Sequence, residues 1–161
     1  MVRIKKVKDV KKYSDGRRKS LANEFNLKKI VTFPNPGANG IVAHRNIEFE
    51  TKCEHHGVAI LGTAYIAYIP NKKELPGLSY IERIVESYLN PTTEITQEVV
   101  TEKIAGFIED KLQPIGLVVI TDMQHGCMTT RGIKQRNVSV AYAAIRGVMI
   151  NEGPRNEAYR L

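Results

Sequence analysis

Cys53-Glu54-His55-His56 and His125-Gly126-Cys127-Met128 together hold both cysteines and three of the four histidines of the 161-residue chain. Thiolate and neutral imidazole are ligands that zinc prefers, and imidazole also exchanges protons near neutral pH. On one turn of helix Cys53 and His56 can point at one centre, and on an extended segment His125 and Cys127 share a face. Cys53, His56 and Cys127 then make a three-ligand set. Zinc held by three protein ligands keeps its fourth tetrahedral position for water, whereas structural sites are usually closed by four protein groups. His55 and His125 remain as unliganded imidazoles able to donate or accept protons. Taken singly, the two cysteines read better as buried small hydrophobes or one disulfide, since CEHH by itself matches no standard metal spacing. A histidine beside each cysteine turns the reading toward a metal.

These windows must be positioned by the elements around them. Residues 20–29 suit a short helix, and Thr32 to Gly40, with Pro34, Pro36, Gly37 and Gly40, is expected to be a loop. From Ile41 to Thr51 the chain is β-prone, with Ile47 and Phe49 alternating against Glu48 and Glu50. Val58 to Ile69 predicts a more buried strand paired with the first. Ser79 and Glu82 match a capping box, and Leu78, Ile81, Val85 and Tyr88 repeat on one face of the helix it would open. A second helix is predicted over Glu94 to Leu112. Ile115 to Thr121 predicts a buried strand leading into the second window, Ser139 to Met149 another strand, and Pro154 a short terminal helix. Strand, strand, helix, helix, strand, strand implies an α+β fold, an antiparallel sheet with both helices on one face. The uncovered sheet face and edges predict subunit association.

Length suits one domain, divided into a basic arm and loop over 1–40 and a folded body over 41–161. Residues 1–30 carry eleven Lys or Arg against three Asp or Glu, so the rest of a chain of net charge +7 sums to −1. The arm reads as a solvated tail better than as a nucleic-acid surface, because no aromatic platform or DNA-reading motif accompanies it. No apolar run is long enough to span a bilayer, which together with two cysteines predicts a cytoplasmic protein.

At this point the motifs resemble a known family, the type I GTP cyclohydrolases, zinc enzymes that convert GTP to 7,8-dihydroneopterin triphosphate and formate. The resemblance runs from about Ile41 to Leu161. It is carried by CEHH at 53–56, AYIAYIP at 64–70, GLSYIERIVE at 77–86, QEVVTEKIAGFI at 97–108, HGCMTTRG at 125–132 and RNEAYRL at 155–161. It implies the tunnelling fold, in which ββααββ subunits form ring-shaped homo-oligomers, decamers in the family, with active sites between subunits. It implies zinc on Cys53, His56 and Cys127, and proton transfer by His55 and His125. It further implies guanine recognition by Gln97 and Glu98, and triphosphate contacts from Arg83 and Arg131, with Ser79 in the same substrate-binding set. A carboxylate can accept two hydrogen bonds from N1–H and the 2-amino group of guanine, a donor pair that adenine lacks.

The chain departs from the family pattern in four places. Gly57-Val58-Ala59-Ile60 replaces Leu-Leu-Pro-Phe. Tyr80 stands where the family has a phosphate-contacting lysine. LNPTTEIT replaces an Arg-rich stretch, and the amino-terminal helical region with its Thr-Pro-x-Arg motif is missing. Lys134, Arg136, Arg17 and Arg18 are the expected substitutes for the lost cations, since no GxxxxGK[ST] loop exists. Two other readings are kept in view. One is a divergent hydrolase acting on another guanine nucleotide or stopping at the formamide. The other is a non-catalytic nucleic-acid or protein-binding module using the arm.

Overall fold

β-Branched and aromatic residues dominate the stretch after the first window and alternate with polar ones before it, and both stretches are strands in a computed structural model of the protein, which describes residues 31–53, 56–89 and 96–161. They are β2 (Val42–Lys52) and β3 (Ala59–Ile69), antiparallel to each other as expected. The segment expected to be loop from Thr32 to Gly40 contributes a short strand, β1 (Thr32–Pro34), paired with β4 (Glu74–Pro76). The Thr32 hydroxyl donates to the Glu74 carboxylate and the Gly77 N–H to the Val31 carbonyl, which ties this segment to the body. Helices α1 (Leu78–Leu89) and α2 (Gln97–Leu112) follow. Then come β5 (Gly116–His125), the single turn α3 (Gly126–Thr129), β6 (Val140–Gly147), a 3-10 turn at Val148–Ile150 and α4 (Glu152–Arg160). The main sheet has the order β2-β3-β5-β6, antiparallel at every step. The predicted helix at 20–29 and the expected start of the second helix at Glu94 lie outside the described residues.

One face of the sheet carries both long helices. Ile66, Leu117, Val119 and Ala144 from the strands meet Ile81, Ile84 and Val85 of α1 and Ile104, Ala105 and Ile108 of α2. Each fully buried side chain of isoleucine size gains about 1.5–3 kcal/mol from leaving water. α1 differs from expectation at its start. It begins at Leu78, so Ser79 lies inside the first turn and cannot act as the cap of a capping box, which requires a non-helical residue. Leu78 is 79% exposed at the first helical position, and Tyr80 is buried in the core instead.

In β2 the alternation is rescued by a bulge. Val42 and His44 pair with Tyr68 and Ile66, then Ile47 and Phe49 pair with Ala64 and Gly62, so the register shifts between His44 and Ile47. Asn46 takes φ 56° there, a left-handed conformation that asparagine tolerates better than most residues. The extra residue keeps Ile47 and Phe49 on the helix-covered face, although they are odd-numbered while Val42 and His44 are even-numbered.

The opposite face was expected to be bare, and it is covered at one end. Met149 of the 3-10 turn and Ala158 of α4 pack on Ala67 and Val118, and the Tyr65 hydroxyl donates to the Ala158 carbonyl. β6 stops earlier than predicted. Gly147 has φ 57°, and a Cβ there would sit 2.2 Å from the Ile115 carbonyl oxygen, so the chain turns into the 3-10 segment. At the other end of this face Leu61 stays 54% exposed.

Candidate metal centre and adjoining cavity

The first window is held by the mouth of the β2–β3 hairpin. The Cys53 N–H donates to the Val58 carbonyl at 2.8 Å, and the Gly57 N–H to the Cys53 carbonyl at 2.8 Å. The Cys53 Sγ lies 3.5 Å from His56 Nδ1. The second window arrives through register. β5 pairs with β3 so that His125 lies opposite Ile60, and the chain then coils into α3, placing Cys127 one residue past the turn's start. His125 and Cys127 therefore do not share the face of one extended segment, as expected, but sit on a strand end and a helical turn. Gly126 makes this junction possible, because a Cβ there would lie 2.4 Å from both the Ala59 carbonyl oxygen and Val58 Cγ1.

Cys53, His56 and Cys127 each offer a ligand atom, and these atoms lie within 4.8 Å of one another. Around a tetrahedral zinc, sulfur and nitrogen ligands sit about 3.6 Å apart and two sulfurs about 3.8 Å apart. The observed cluster fits that scale with small adjustment. Both thiols are free, so the disulfide alternative is not what the structure contains. His55 lies outside the described residues.

A cavity of about 360 Å³ opens beside this cluster, lined by Cys53, His56, Cys127, Gln97, Glu98 and His125, with Tyr88, Leu89, Ile60, Val100 and Met123 as apolar wall. Gln97 and Glu98 enter it because α2 begins there, at the first two helical positions. The Glu98 carboxyl is held below the ordinary carboxylate range, first by its own backbone N–H, then by the Thr96 hydroxyl, with a smaller contribution from His125 against an opposing effect of burial. It is therefore ionised at neutral pH. Gln97 is buried, and its side-chain oxygen lies 3.0 Å from His125 Nε2.

Ser79, Arg83 and Arg131 do not line this cavity. Ser79 and Arg83 belong to the first two turns of α1, whose opposite end supplies Tyr88 and Leu89; at about 1.5 Å rise per residue Ser79 is about 13 Å along the axis from Tyr88. Arg131 is exposed just after α3, as are Lys134 and Arg136. Tyr80 offers nothing to a surface ligand: it is 4% exposed, and burial first, then Tyr88, pushes its hydroxyl up to about 12. Two residues beside the site escaped sequence reasoning, Thr101 and Thr121, both fully buried. The signal was available, since Gln97 and Thr101 are four apart on the same stripe as Val100, Ile104 and Ile108, and polar groups on an apolar stripe need partners.

Among solved structures, the chain is similar to the apo form of the archaeosine synthase QueF-Like, with TM-score 0.52 and 15% identity, covering 70% of this chain and 97% of that one. That likeness concerns the fold alone. With the strand order above, it defines a tunnelling-fold protein carrying a Cys-His-Cys cluster fit for a metal. A family model described as GTP cyclohydrolase I matches residues 3–161. Relatives named GTP cyclohydrolase 1 include that of Campylobacter concisus (strain 13826), 40% identical over 124 residues, covering 76% of this chain and 64% of the relative. Another, from Maricaulis maris (strain MCS10), is 38% identical over 116 residues, covering 72% and 55%. The chain belongs to the GTP cyclohydrolase I family. It spans less than two thirds of the length of these relatives. The family match begins far upstream of Ile41, which marks where the motifs start and not where the likeness starts.

Proposed function

We propose that the protein hydrolyses GTP to 7,8-dihydroneopterin triphosphate and formate. The observation that carries this reading is one cavity lined by a metal-capable Cys53-His56-Cys127 cluster, an imidazole at His125 and an ionised carboxylate at Glu98. In this reading Cys53, His56 and Cys127 hold zinc, whose Lewis acidity would make water a nucleophile at neutral pH. Glu98 accepts N1–H and the 2-amino group of guanine and so selects the base. His125 takes a proton from the attacking water and passes it to N7 as that water adds at C8 and the five-membered ring opens, and His55 serves the other proton transfers. A second hydration releases formate, and ring closure returns a water, so that one water is consumed overall.

That Ser79, Arg83 and Arg131 do not line their own chain's cavity supports a site completed by a neighbouring copy, and with it a ring-shaped homo-oligomer, decameric by family likeness. No helix among the described residues is long and apolar enough to cross a membrane, and we assign the protein to the cytoplasm, feeding a folate, pterin or 7-deazaguanine pathway. The burial of Tyr80 favours one second reading. Without a cation at that position, a less phosphorylated guanine nucleotide becomes the substrate, or the reaction stops at the formamide. Incubating the purified protein with GTP, GMP and guanosine while following formate and pterin fluorescence separates the two. GTP is expected to be turned over fastest and to give both signals. Faster turnover of GMP, or formamide without pterin, would establish the second reading. No turnover of any substrate by zinc-loaded protein would remove both.

A further inference from the structure

Gln97, Thr101 and Thr121 are buried, and all three belong to one hydrogen-bonded chain that ends on His125. The direction of every bond in it can be worked out. Gln97 Nε2 lies 2.7 Å from the Val140 carbonyl oxygen and 3.0 Å from the Thr121 carbonyl oxygen. Two carbonyl oxygens accept only, so both amide hydrogens are committed to them, and a flipped amide would set oxygen against oxygen. Gln97 Oε1 must then face His125, and because it too only accepts, His125 Nε2 must carry hydrogen. The threonines add a second fixed direction. Thr101 has one hydroxyl hydrogen and gives it to the Gln97 backbone carbonyl at 2.7 Å, so the 2.7 Å contact between the two hydroxyls is donated by Thr121. The first turn of α2 is thereby tied to β5, and the Gln97 amide to β5 and β6, with no freedom to rotate.

We propose that Gln97 is a positioning residue for His125, locking the neutral ring as the Nε2–H tautomer with its lone pair on Nδ1, and that it does not read the guanine edge with its side chain. Burial makes this arrangement selective. With both amide ends already engaged by protein groups, a substrate contact would first have to break bonds that the protein has made. An imidazole in the wrong tautomer offers a hydrogen where the reaction needs a lone pair, so orientation of the ring bears on the chemical step and not on ground-state binding. The catalytic consequence rests on the proposed role of His125 in proton transfer, whereas the tautomer itself does not.

The test uses the full chain labelled with nitrogen-15 at histidine, with the His125 signals assigned by their absence in His125→Gln. The wild-type protein is expected to show Nε2 protonated and Nδ1 unprotonated; an Nδ1–H ring would overturn the proposal without any variant having to fold. In Gln97→Met the Nε2–H form should lose its dominance, with kcat for GTP falling roughly tenfold or more and KM within about twofold. An unchanged tautomer in a folded variant, or a raised KM with unchanged kcat, would instead make Gln97 a base-reading residue and sink the idea. Thr121→Val, which touches neither cavity nor ring, should reproduce the fall in kcat more weakly. A wild-type chain that shows the Nε2–H form but turns over no GTP would defeat the cyclohydrolase reading and leave this one standing.

Discussion

At the cavity, one chain brings together Cys53, His56, Gln97, Glu98, His125 and Cys127 from a hairpin mouth, a helix start and a strand end. At the first turn of α1 the same chain leaves Ser79 and Leu78 on the surface, and buries Tyr80 where the family pattern has a cation. On the proposed function, the difference separates two tasks. Base recognition and proton transfer need groups held within hydrogen-bond reach, and here the antiparallel β3–β5 register and the start of α2 hold them. Phosphate recognition tolerates longer range and longer side chains, so it can be left to groups that meet only when copies assemble.

The largest effect should come from removing a ligand in the preassembled region. Cys127→Ala is expected to lose both zinc, by metal analysis, and all measurable GTP turnover; retention of either would break the contrast at its stronger side. Glu98→Ala should keep zinc and lose roughly a hundredfold to a thousandfold in kcat/KM for GTP, since a buried donor pair on the base would be left unmatched. The assembled region is sharpened by mixing. Arg83→Ala and Glu98→Ala, each impaired alone, should regain about one quarter of wild-type activity when co-assembled, because some sites would then draw Glu98 and Arg83 from two unmutated sources. No regain would place Arg83 with its own chain's cavity. Deleting residues 1–19 should raise the KM for GTP several-fold if Arg17 and Arg18 reach the phosphates, and an unchanged value rules the arm out.

The smallest effect concerns pH. The Glu98 carboxyl titrates below its ordinary value of 4.5, so the ionised form persists as pH falls to that value. Any stability tied to that form is present above the unfolded value and lost only as pH drops through the lower folded one. The KM for GTP should accordingly stay flat from neutral pH to about pH 5, within the range where an unperturbed glutamate has begun to protonate. A rise beginning nearer neutrality would mean that another group governs base recognition.

Much of this was legible in the residues. The alternation of Ile47 and Phe49, the apolar run from Val58 to Ile69 and the stripe through Ile81, Val85, Ile104 and Ile108 located strands and helices to within a few residues. Periodicity is a property of neighbours in the chain, and it survives whatever the rest of the molecule does. The same local reasoning misjudged Ser79, because Gly77 turning back to Val31 starts α1 two residues earlier than the cap pattern suggests. It also could not see the bulge beyond His44, since alternation carries no record of which strand lies opposite.

By itself, then, the sequence determined the kinds of ligand, their order and the elements that carry them. Only the tertiary structure decided that Cys127 reaches the turn bearing Cys53 and His56, that Tyr80 faces inward, and that the Gln97 amide points its oxygen at His125. The physical reason is that each of these depends on atoms distant along the chain: the pairing of Ile60 with His125, the absence of a Cβ at Gly126, and two strand carbonyls that can only accept.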